Sequence, residues 1–239
     1  MNIYNSISET GKKKIAILID PDRNTPASLE RIVNNSNQSG ADYIFVGGSL
    51  LVGSIGETIS YIKGLTNIPV IIFPGNVIQI SEKADGILFL SLISGRNPEY
   101  LIGQHVISAP TLKKSGLEII PTAYILIENG RTTSVEYISN TMPIPADKPE
   151  IVVATALAGE MLGMKLIYLE AGSGAAKSVA LGIISEVKKS TGIPLIVGGG
   201  IRNGEDAKKI FASGADLVVV GSAVEENPEV IAELCSSRY

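Results

Sequence analysis

Short apolar runs alternate along the chain with longer segments that carry helix-capping signals such as Thr25-Pro26 and Asn97-Pro98. The runs are dominated by Ile, Leu and Val, which favours strands buried on both faces of a parallel sheet. We predict eight strands within residues 14–20, 42–49, 69–75, 86–92, 117–127, 165–172, 193–202 and 217–223. Helices are predicted at 25–39, 55–65, 97–115, 151–162 and 175–191, with a last one starting at 227. This order is typical of an α/β fold, the (β/α)8 TIM barrel, in a single domain of residues 1–239.

Two connections depart from the regular alternation. Only about ten residues separate the third and fourth strands, which is too short for a full crossover helix. We therefore expect helix 3 to be shortened or replaced by a loop, leaving one side of the barrel less covered. The segment of about 128–150 contains Asn129-Gly130 and the prolines Pro143, Pro145 and Pro149. Because strand–helix alternation resumes directly after it, we interpret this segment as an inserted loop or lid.

Composition narrows the possible functions. The formal net charge of −4 argues against a nucleic-acid partner. Cys235 is the sole cysteine, which allows no internal disulfide and fits a reducing cytoplasm. The first ten residues are polar and lack a signal-peptide pattern, so we expect a cytoplasmic protein. Apolar residues make up 45% of the chain and aromatics only 5%, which predicts an aliphatic core. The positive mean hydropathy of +0.27 indicates apolar surface covered in an oligomer or lining an apolar groove.

Glycine-rich turns follow the last three strands. Barrel enzymes carry their functional residues at the carboxyl ends of strands, and the turns after strands 7 and 8 commonly bind phosphate. The three turns are Gly172-Ser173-Gly174, Gly198-Gly199-Gly200 and Gly221-Ser222. Any one of them alone is equally compatible with a tight βα turn. Together, on neighbouring strands, they predict a phosphate site, because glycine lets an anion approach the backbone N–H groups.

Acidic and hydroxyl side chains complete the predicted mouth of the barrel, and no strand end carries histidine or cysteine. This pattern argues against Cys/His nucleophilic catalysis and against zinc, and favours a hard cation such as Mg²⁺. Asp20 directly ends the first strand and is a candidate metal ligand, although it could instead cap a turn. An acid at Glu170, beside the phosphate site, would repel an anion unless it binds hydroxyl groups or accepts a proton. For His105, in a predicted helix, we expect a structural role.

Five motifs make the chain resemble a known family. They are Leu18-Ile-Asp20-Pro21-Asp22, Val46-Gly-Gly-Ser49, Tyr168-Leu-Glu-Ala-Gly-Ser-Gly174, Val197-Gly-Gly-Gly-Ile201 and Val220-Gly221-Ser222. With them, essentially the whole chain resembles the geranylgeranylglyceryl phosphate synthases of archaeal-type ether-lipid synthesis and their bacterial relatives. The motif at 168–174 is the most discriminating, whereas the last two motifs occur in many phosphate-binding barrels. Members of that family are barrels in which a loop replaces helix 3.

The resemblance implies a Mg²⁺-dependent prenyltransferase of phospholipid synthesis. Such an enzyme joins sn-glycerol 1-phosphate to a polyprenyl diphosphate, here expected to be geranylgeranyl diphosphate, and releases diphosphate. It further implies a homo-oligomer, hexamer or dimer, with peripheral membrane contact through the lipid product. Asp20 and Ser49 match the family's Mg²⁺ ligands, and Glu170 is our hypothesis for the catalytic base. The implied glycerol-phosphate contacts are Tyr168, Leu169, Glu170, Ala171, Gly172, Ser173, Gly174, Gly199, Gly200, Gly221 and Ser222.

Some positions differ from the family pattern. Leu18 stands where the shorter bacterial branch has a lysine, Tyr100 stands where many members have tryptophan, and Ser222 replaces an asparagine found in some. Other functions stay open at this point. They include another phosphate-binding barrel enzyme, such as an isomerase or synthase of histidine, tryptophan or thiamine synthesis. A phosphate- or flavin-binding module without catalysis and a catalytically inactive scaffold are the non-enzyme alternatives.

Overall fold

The computed structural model describes residues 2–239, and its eight parallel strands close into a barrel in sequence order. Every predicted strand is present, most of them shorter than predicted because the small residues at their ends belong to loops. The strands are β1 Lys14–Ile19, β2 Tyr43–Val46, β3 Val70–Ile72, β4 Gly86–Leu92, β5 Glu118–Leu126, β6 Leu166–Glu170, β7 Leu195–Gly198 and β8 Leu217–Val220. The predicted (β/α)8 fold is thereby confirmed.

Helices cover the outside of the barrel. They are α1 Ile3–Ile7, α2 Pro26–Ser39, α3 Ile55–Lys63, α4 Gln104–Ser115, α5 Ser134–Ser139, α6 Pro149–Met161, α7 Leu181–Ser190, α8 Gly204–Ala212, α9 Ser222–Glu226 and α10 Val230–Ser236. Helix α2 shows why these boundaries arise. The Thr25 hydroxyl caps its first turn, Pro26 opens it, and Gly40 ends it in the left-handed conformation. Within residues 2–239, no helix combines the length and the apolar character needed to cross a membrane.

Two apolar layers hold the barrel together. The outer layer, between strands and helices, is aliphatic as predicted, with β-branched side chains such as Ile17, Ile44 and Val197 fully buried. The interior differs, because aromatic rings lie there among the aliphatic side chains. Phe73 stacks on Tyr168 with ring centroids 5.3 Å apart. A cluster of aromatic rings therefore fills part of the barrel interior.

Aspartates brace the amino-terminal end of the barrel. The dipeptide Ala-Asp occurs directly before β2, β4 and β8, at Asp42, Asp85 and Asp216. Each carboxylate accepts a backbone N–H from the start of the preceding strand, at 2.8 to 2.9 Å. The same aspartate-to-backbone hydrogen bond thus aligns three pairs of neighbouring strands at the amino-terminal end of the barrel.

Helix α1 closes that same end and was missed from the sequence. Its residues Ile3 and Ile7 are buried against the barrel interior. The Glu118 carboxylate accepts the backbone N–H groups of Ile3 and Tyr4 at 2.6 and 2.7 Å, which satisfies the start of the helix. Asn2 caps the helix locally by accepting the N–H of Asn5 at 2.9 Å, but the partner carboxylate lies more than a hundred residues away in the chain, where local patterns cannot indicate it.

The connections around the mouth test the predicted departures. Residues 73–85, between β3 and β4, contain no helix. This confirms that a loop replaces the third crossover helix of the barrel, the one expected after β3; α3 is the helix that follows β2. The helix predicted at 175–191 starts only at Leu181, so its first six residues were assigned wrongly. Gly172 and Gly174 have φ of +99° and +66°, and the backbone of Lys177 packs against Gly200. This stretch is therefore a loop that belongs to the site.

Candidate active site

A cavity of about 940 Å³ opens at the carboxyl end of the barrel. Most residues predicted from the sequence line it: Asp20, Ser49, Tyr168, Glu170, Ser173, Gly174, Gly199, Gly200, Gly221 and Ser222. The turns after β6, β7 and β8 lie side by side, because these strands are neighbours in the barrel. The glycine-rich turns therefore face one space, as a common anion site requires.

Close backbone approach explains the glycines of the β7 turn. Gly199 and Gly200 have φ of +84° and +68°, a region that disfavours any side chain. A Cβ at Gly199 would overlap Glu170 Oε1, and one at Gly200 would overlap the backbone of Lys177. Gly221, which precedes α9, adds no side-chain cap to that helix. Gly199, Gly200 and Gly221 thus bring no side chain to this wall of the site, which also includes Ser173 and Ser222.

Glu170 ends β6 and points into the cavity although only 5% of its surface is exposed. Burial raises the pKa of its carboxyl group to about 7. The N–H of Gly172 donates to Oε1 at 2.7 Å, and the nearby hydroxyls of Tyr168 and Tyr124 favour the ionised form, but these effects offset only part of the burial. A carboxyl group with such a pKa can accept and release a proton near neutral pH.

Tyr168 brings an unsatisfied hydroxyl to the same place. Its Oη is buried and forms no well-aligned hydrogen bond among residues 2–239, although it lies close enough to the Glu170 carboxylate to influence the pKa of that group. Gly198 makes room for it, since a Cβ there would overlap the hydroxyl. Buried polar atoms are nearly always paired, so an unpaired one in a cavity wall indicates a polar ligand group or a water.

Asp20 and Asp22 have different surroundings despite their proximity. Half-buried Asp20 lines the cavity, and burial raises the pKa of its carboxyl group; the N–H of Asp22 and the charge of Arg23 oppose this shift. The Asp22 carboxylate instead accepts the N–H groups of Val52 and Gly53 at 2.6 and 3.0 Å. Asp22 therefore holds the loop after β2, and Asp20 is the acid available to a ligand.

The chemistry of the donors around Asp20 fits Mg²⁺. Asp20 Oδ2 lies 3.0 Å from the position that a Cβ of Gly48 would occupy, and the adjacent Ser49 also lines the cavity. Residues 2–239 contain no cluster of three or more His, Cys, Asp or Glu side chains able to hold a metal by themselves. Mg²⁺ is commonly held by one or two carboxylates together with waters and substrate phosphates, so a complete protein cage is not required.

Gln79 braces the loop that carries Ser49 and had no signal in the sequence. Its side-chain amide donates to the carbonyl oxygen of Gly48 at 2.7 Å, and its Oε1 accepts the N–H of Gly75 at 3.0 Å. The residue is almost fully buried. It lies in the loop that replaces helix 3, where no regular pattern distinguishes a bracing side chain from a surface one.

An apolar branch extends the cavity between β4 and α4, on the side where helix 3 is absent. Its wall includes Ile80, Phe89, His105, Ser108 and Leu112. At 1.5 Å per residue, the wall along α4 from 104 to 112 is about 12 Å long. His105 Nε2 lies 2.9 Å from the hydroxyl of Ser91, and burial lowers the pKa of the imidazole. The wall is thus uncharged at neutral pH.

Three predicted site residues are not part of the cavity wall. The side chains of Leu169 and Ala171 pack in the outer apolar layer, because alternate residues of β6 face away from the barrel interior. Gly172 uses its N–H to hold Glu170 and packs against Thr133 of the insertion. These residues shape the turn without presenting side chains to a ligand.

The raised pKa of Glu170 predicts a pH-dependent stability. The carboxyl group titrates near its ordinary 4.5 in the unfolded chain and near 7 in the fold. Between these values the fold retains a proton that the unfolded chain has lost, so the free energy of unfolding falls as pH rises. By urea unfolding, we expect Glu170→Gln to be more stable than the wild type by roughly 2–3 kcal/mol at pH 8, and nearly equal to it at pH 4.5. An equal difference at both pH values would contradict the assigned cause.

Comparisons with known proteins place the chain in a family. The profile of the PcrB family matches residues 8–237. The geranylgeranylglyceryl phosphate synthase of Chitinophaga pinensis is 49% identical, covering 99% of this chain and 96% of the relative. The one of Flavobacterium johnsoniae is 52% identical, covering 92% and 90%.

A solved structure agrees over the full length. The (S)-3-O-geranylgeranylglyceryl phosphate synthase of Thermoplasma acidophilum, in complex with sn-glycerol-1-phosphate, superimposes with a TM-score of 0.94. It is 36% identical, and the match covers 100% of this chain and 98% of that one. Fold, site motifs and relatives agree: the chain belongs to the PcrB family, together with the geranylgeranylglyceryl phosphate synthases.

Proposed function

We propose that the chain transfers a polyprenyl group, preferentially geranylgeranyl, from its diphosphate to the C3 hydroxyl of sn-glycerol 1-phosphate. The products are geranylgeranylglyceryl phosphate and diphosphate. The observation that carries the proposal is the arrangement of three groups of residues around the cavity at the carboxyl end of the barrel. Going round the barrel, glycine turns end β6 to β8, Asp20 and Ser49 follow β1 and β2, and the apolar branch lies at β3 and β4. The glycine turns suit a phosphate, Asp20 and Ser49 suit a diphosphate with its cation, and the apolar branch suits a lipid tail.

The acceptor is held by the glycine turns. Its phosphate binds the backbone N–H groups of the turns after β6, β7 and β8, whose glycines carry no side chain of their own. Its glycerol hydroxyls face Glu170 and the unpaired hydroxyl of Tyr168. This arrangement uses the acid that would otherwise repel the phosphate.

Glu170 then accepts a proton. The oxygen of the C3 hydroxyl forms a bond to C1 of the allylic chain, the bond from C1 to the diphosphate oxygen breaks, and the diphosphate leaves with the bonding electrons. The proton of the hydroxyl passes to the Glu170 carboxylate. A base with a pKa of about 7 suits this transfer at neutral pH, because about half of it is ionised there.

Asp20 and Ser49 would hold the Mg²⁺ that accompanies the donor. The chemistry that the ion would supply is neutralisation of the diphosphate charge, which makes diphosphate a better leaving group. Asp20 is kept beside the Ser49 loop by the close contact with Gly48, and Gln79 fixes that loop. Arg23, which contacts the carboxylates of Asp20 and Glu225 at 3.4 and 3.7 Å, orients the acid from the outer side.

The apolar branch binds the polyprenyl tail. At about 0.8 kcal/mol per buried CH2, a twenty-carbon tail contributes on the order of 10 kcal/mol before the cost of ordering it. A barrel enzyme acting on a small sugar or amino-acid phosphate has no use for such a branch. This feature favours the prenyltransferase over an isomerase.

The direct test is product formation. The purified chain is incubated with radiolabelled sn-glycerol 1-phosphate, geranylgeranyl diphosphate and MgCl2, and the label is extracted into butanol. We expect extractable lipid phosphate that requires both substrates. If the label stays in the aqueous phase, the proposal is wrong. The stereochemical control replaces sn-glycerol 1-phosphate with sn-glycerol 3-phosphate.

Filling the branch should shorten the accepted donor. In Ser108→Phe, a ring replaces a small hydroxyl in the wall on α4. We expect kcat/KM for geranylgeranyl diphosphate to fall by about 10- to 200-fold, the range for a misfit of one or two methylene groups or more in an apolar pocket. The value for geranyl diphosphate, which is half as long, should change far less.

The matched control is Ala109→Phe, one residue further on α4 and exposed. It should leave both donors unaffected. Equal losses for long and short donors in Ser108→Phe would contradict the assignment of the branch to the tail.

A further inference from the structure

The insertion between β5 and α6 is fastened to the glycine turn after β6. The side-chain amide of Asn129 donates to the carbonyl oxygen of Ala171. Thr133 is buried at the place where Gly172 would carry a Cβ. The backbone N–H and the hydroxyl of Thr133 both bond to the Glu136 carboxylate at 2.9 Å, which caps α5. Two contacts, Asn129 with Ala171 and Thr133 with Gly172, therefore hold the start of the insertion against the turn after β6.

The same contacts place Arg131 over the anion site. Arg131 lies between the two anchors, and its Nη2 is 3.0 Å from the position that a Cβ of Gly174 would occupy. Its side chain lines the cavity. The ion pairs and side-chain hydrogen bonds formed among residues 2–239 do not include it, whereas Arg23 in the same cavity contacts Asp20 and Glu225. A guanidinium group without an acidic partner thus faces the glycine turns.

The anion site needs such a charge. Its turns contribute neutral N–H groups, and Glu170 adds a negative charge whenever it is ionised. A guanidinium group offers a planar set of N–H donors that matches two phosphate oxygens at once, and charge-assisted hydrogen bonds are about twice as strong as neutral ones. Arginine is therefore suited to hold a phosphate beside a carboxylate.

We propose that Arg131 binds the phosphate of the acceptor, so that the insertion forms one wall of the sn-glycerol 1-phosphate site. This inference rests on the proposed function. Arg131 contacts the substrate itself, on the side of the phosphate opposite the β7 and β8 turns. The insertion thereby contributes to the choice of an anionic acceptor over free glycerol.

The test uses the full chain and its Arg131→Gln variant. Calorimetric titration with sn-glycerol 1-phosphate should give a Kd, and kinetics a KM, about 10- to 100-fold higher than in the wild type, as expected for a lost hydrogen bond to a charged group. The KM for geranylgeranyl diphosphate should stay within about twofold. Arg131→Lys should recover part of the affinity. Arg31→Gln, which removes an arginine paired with Glu229 outside the cavity, is the matched control and should change neither constant.

Two results would overturn the inference. One is an unchanged affinity for sn-glycerol 1-phosphate in Arg131→Gln together with a loss of affinity in Arg202→Gln. Arg202 is the other arginine that lines the cavity without forming an ion pair among residues 2–239. The other is a rise in the KM of the diphosphate alone, which would place Arg131 at the donor. If the wild type binds sn-glycerol 1-phosphate but forms no ether lipid, the proposed function fails while the comparison of Kd values still decides the role of Arg131.

Discussion

Replacing Glu170 by glutamine is expected to lower kcat by about 10²- to 10⁴-fold, the usual contribution of a general base. The amide keeps the shape of the side chain and can still accept the N–H of Gly172, but it cannot take the proton of the acceptor hydroxyl. Binding of sn-glycerol 1-phosphate should therefore change little. In the wild type, the carboxyl group must be ionised to act as a base. Its kcat/KM should rise with pH and level off above about 7, the pKa to which burial raises this group in the unliganded enzyme.

Glu160→Gln is the matched control for this variant. Glu160 accepts the N–H of Gly192 at 2.8 Å and does not line the cavity, so its amide should leave kcat unchanged. A Glu170→Gln enzyme that retains wild-type kcat, or a wild-type kcat/KM that is flat between pH 5 and pH 8, would show that another group accepts the proton.

Replacing Asp20 by asparagine is expected to weaken both activity and the response to Mg²⁺. Loss of a residue that binds the ion directly should lower the metal affinity or the activity at least as much as loss of an outer-shell partner, which typically lowers them roughly 10- to 100-fold. The Mg²⁺ concentration for half-maximal rate should rise, because a neutral amide attracts the cation less than a carboxylate does. Steady-state rates over a series of MgCl2 concentrations measure both effects.

Asp22→Asn separates charge from position. Its carboxylate holds Val52 and Gly53, so the variant should lower thermal stability slightly and leave the Mg²⁺ response unchanged. The account of Asp20 fails if Asp20→Asn keeps the Mg²⁺ dependence of the wild type, or if Asp22→Asn shifts it as much as Asp20→Asn does.

Local patterns in the sequence were enough to predict the barrel. Each strand is a short apolar run, and most of them are followed closely by a glycine or an acid, so no distant residue is needed to recognise them. The barrel itself then brought the turns of β6, β7 and β8 together, which is why the phosphate site could be predicted without coordinates. The short link before β4 likewise indicated the missing helix and the opening beside it.

Long-range contacts explain what the sequence did not reveal. Helix α1 depends on Glu118, and Gln79 acts through the backbones of Gly48 and Gly75. Arg131 gained significance only once the insertion was seen to lie against the turn of Gly174. Helix α7 begins late because Lys177, which precedes it, packs against Gly200 of the β7 turn. In each case at least one decisive partner lies far along the chain, where propensity and spacing carry no information.

A crystal structure of this chain soaked with sn-glycerol 1-phosphate tests the central claim most directly. The account predicts the phosphate against the backbone N–H groups of the turns after β6, β7 and β8, with Arg131 on its open side and the C3 hydroxyl within hydrogen-bond distance of Glu170. A phosphate bound at Asp20 and Ser49, or a glycerol directed away from Glu170, would contradict it.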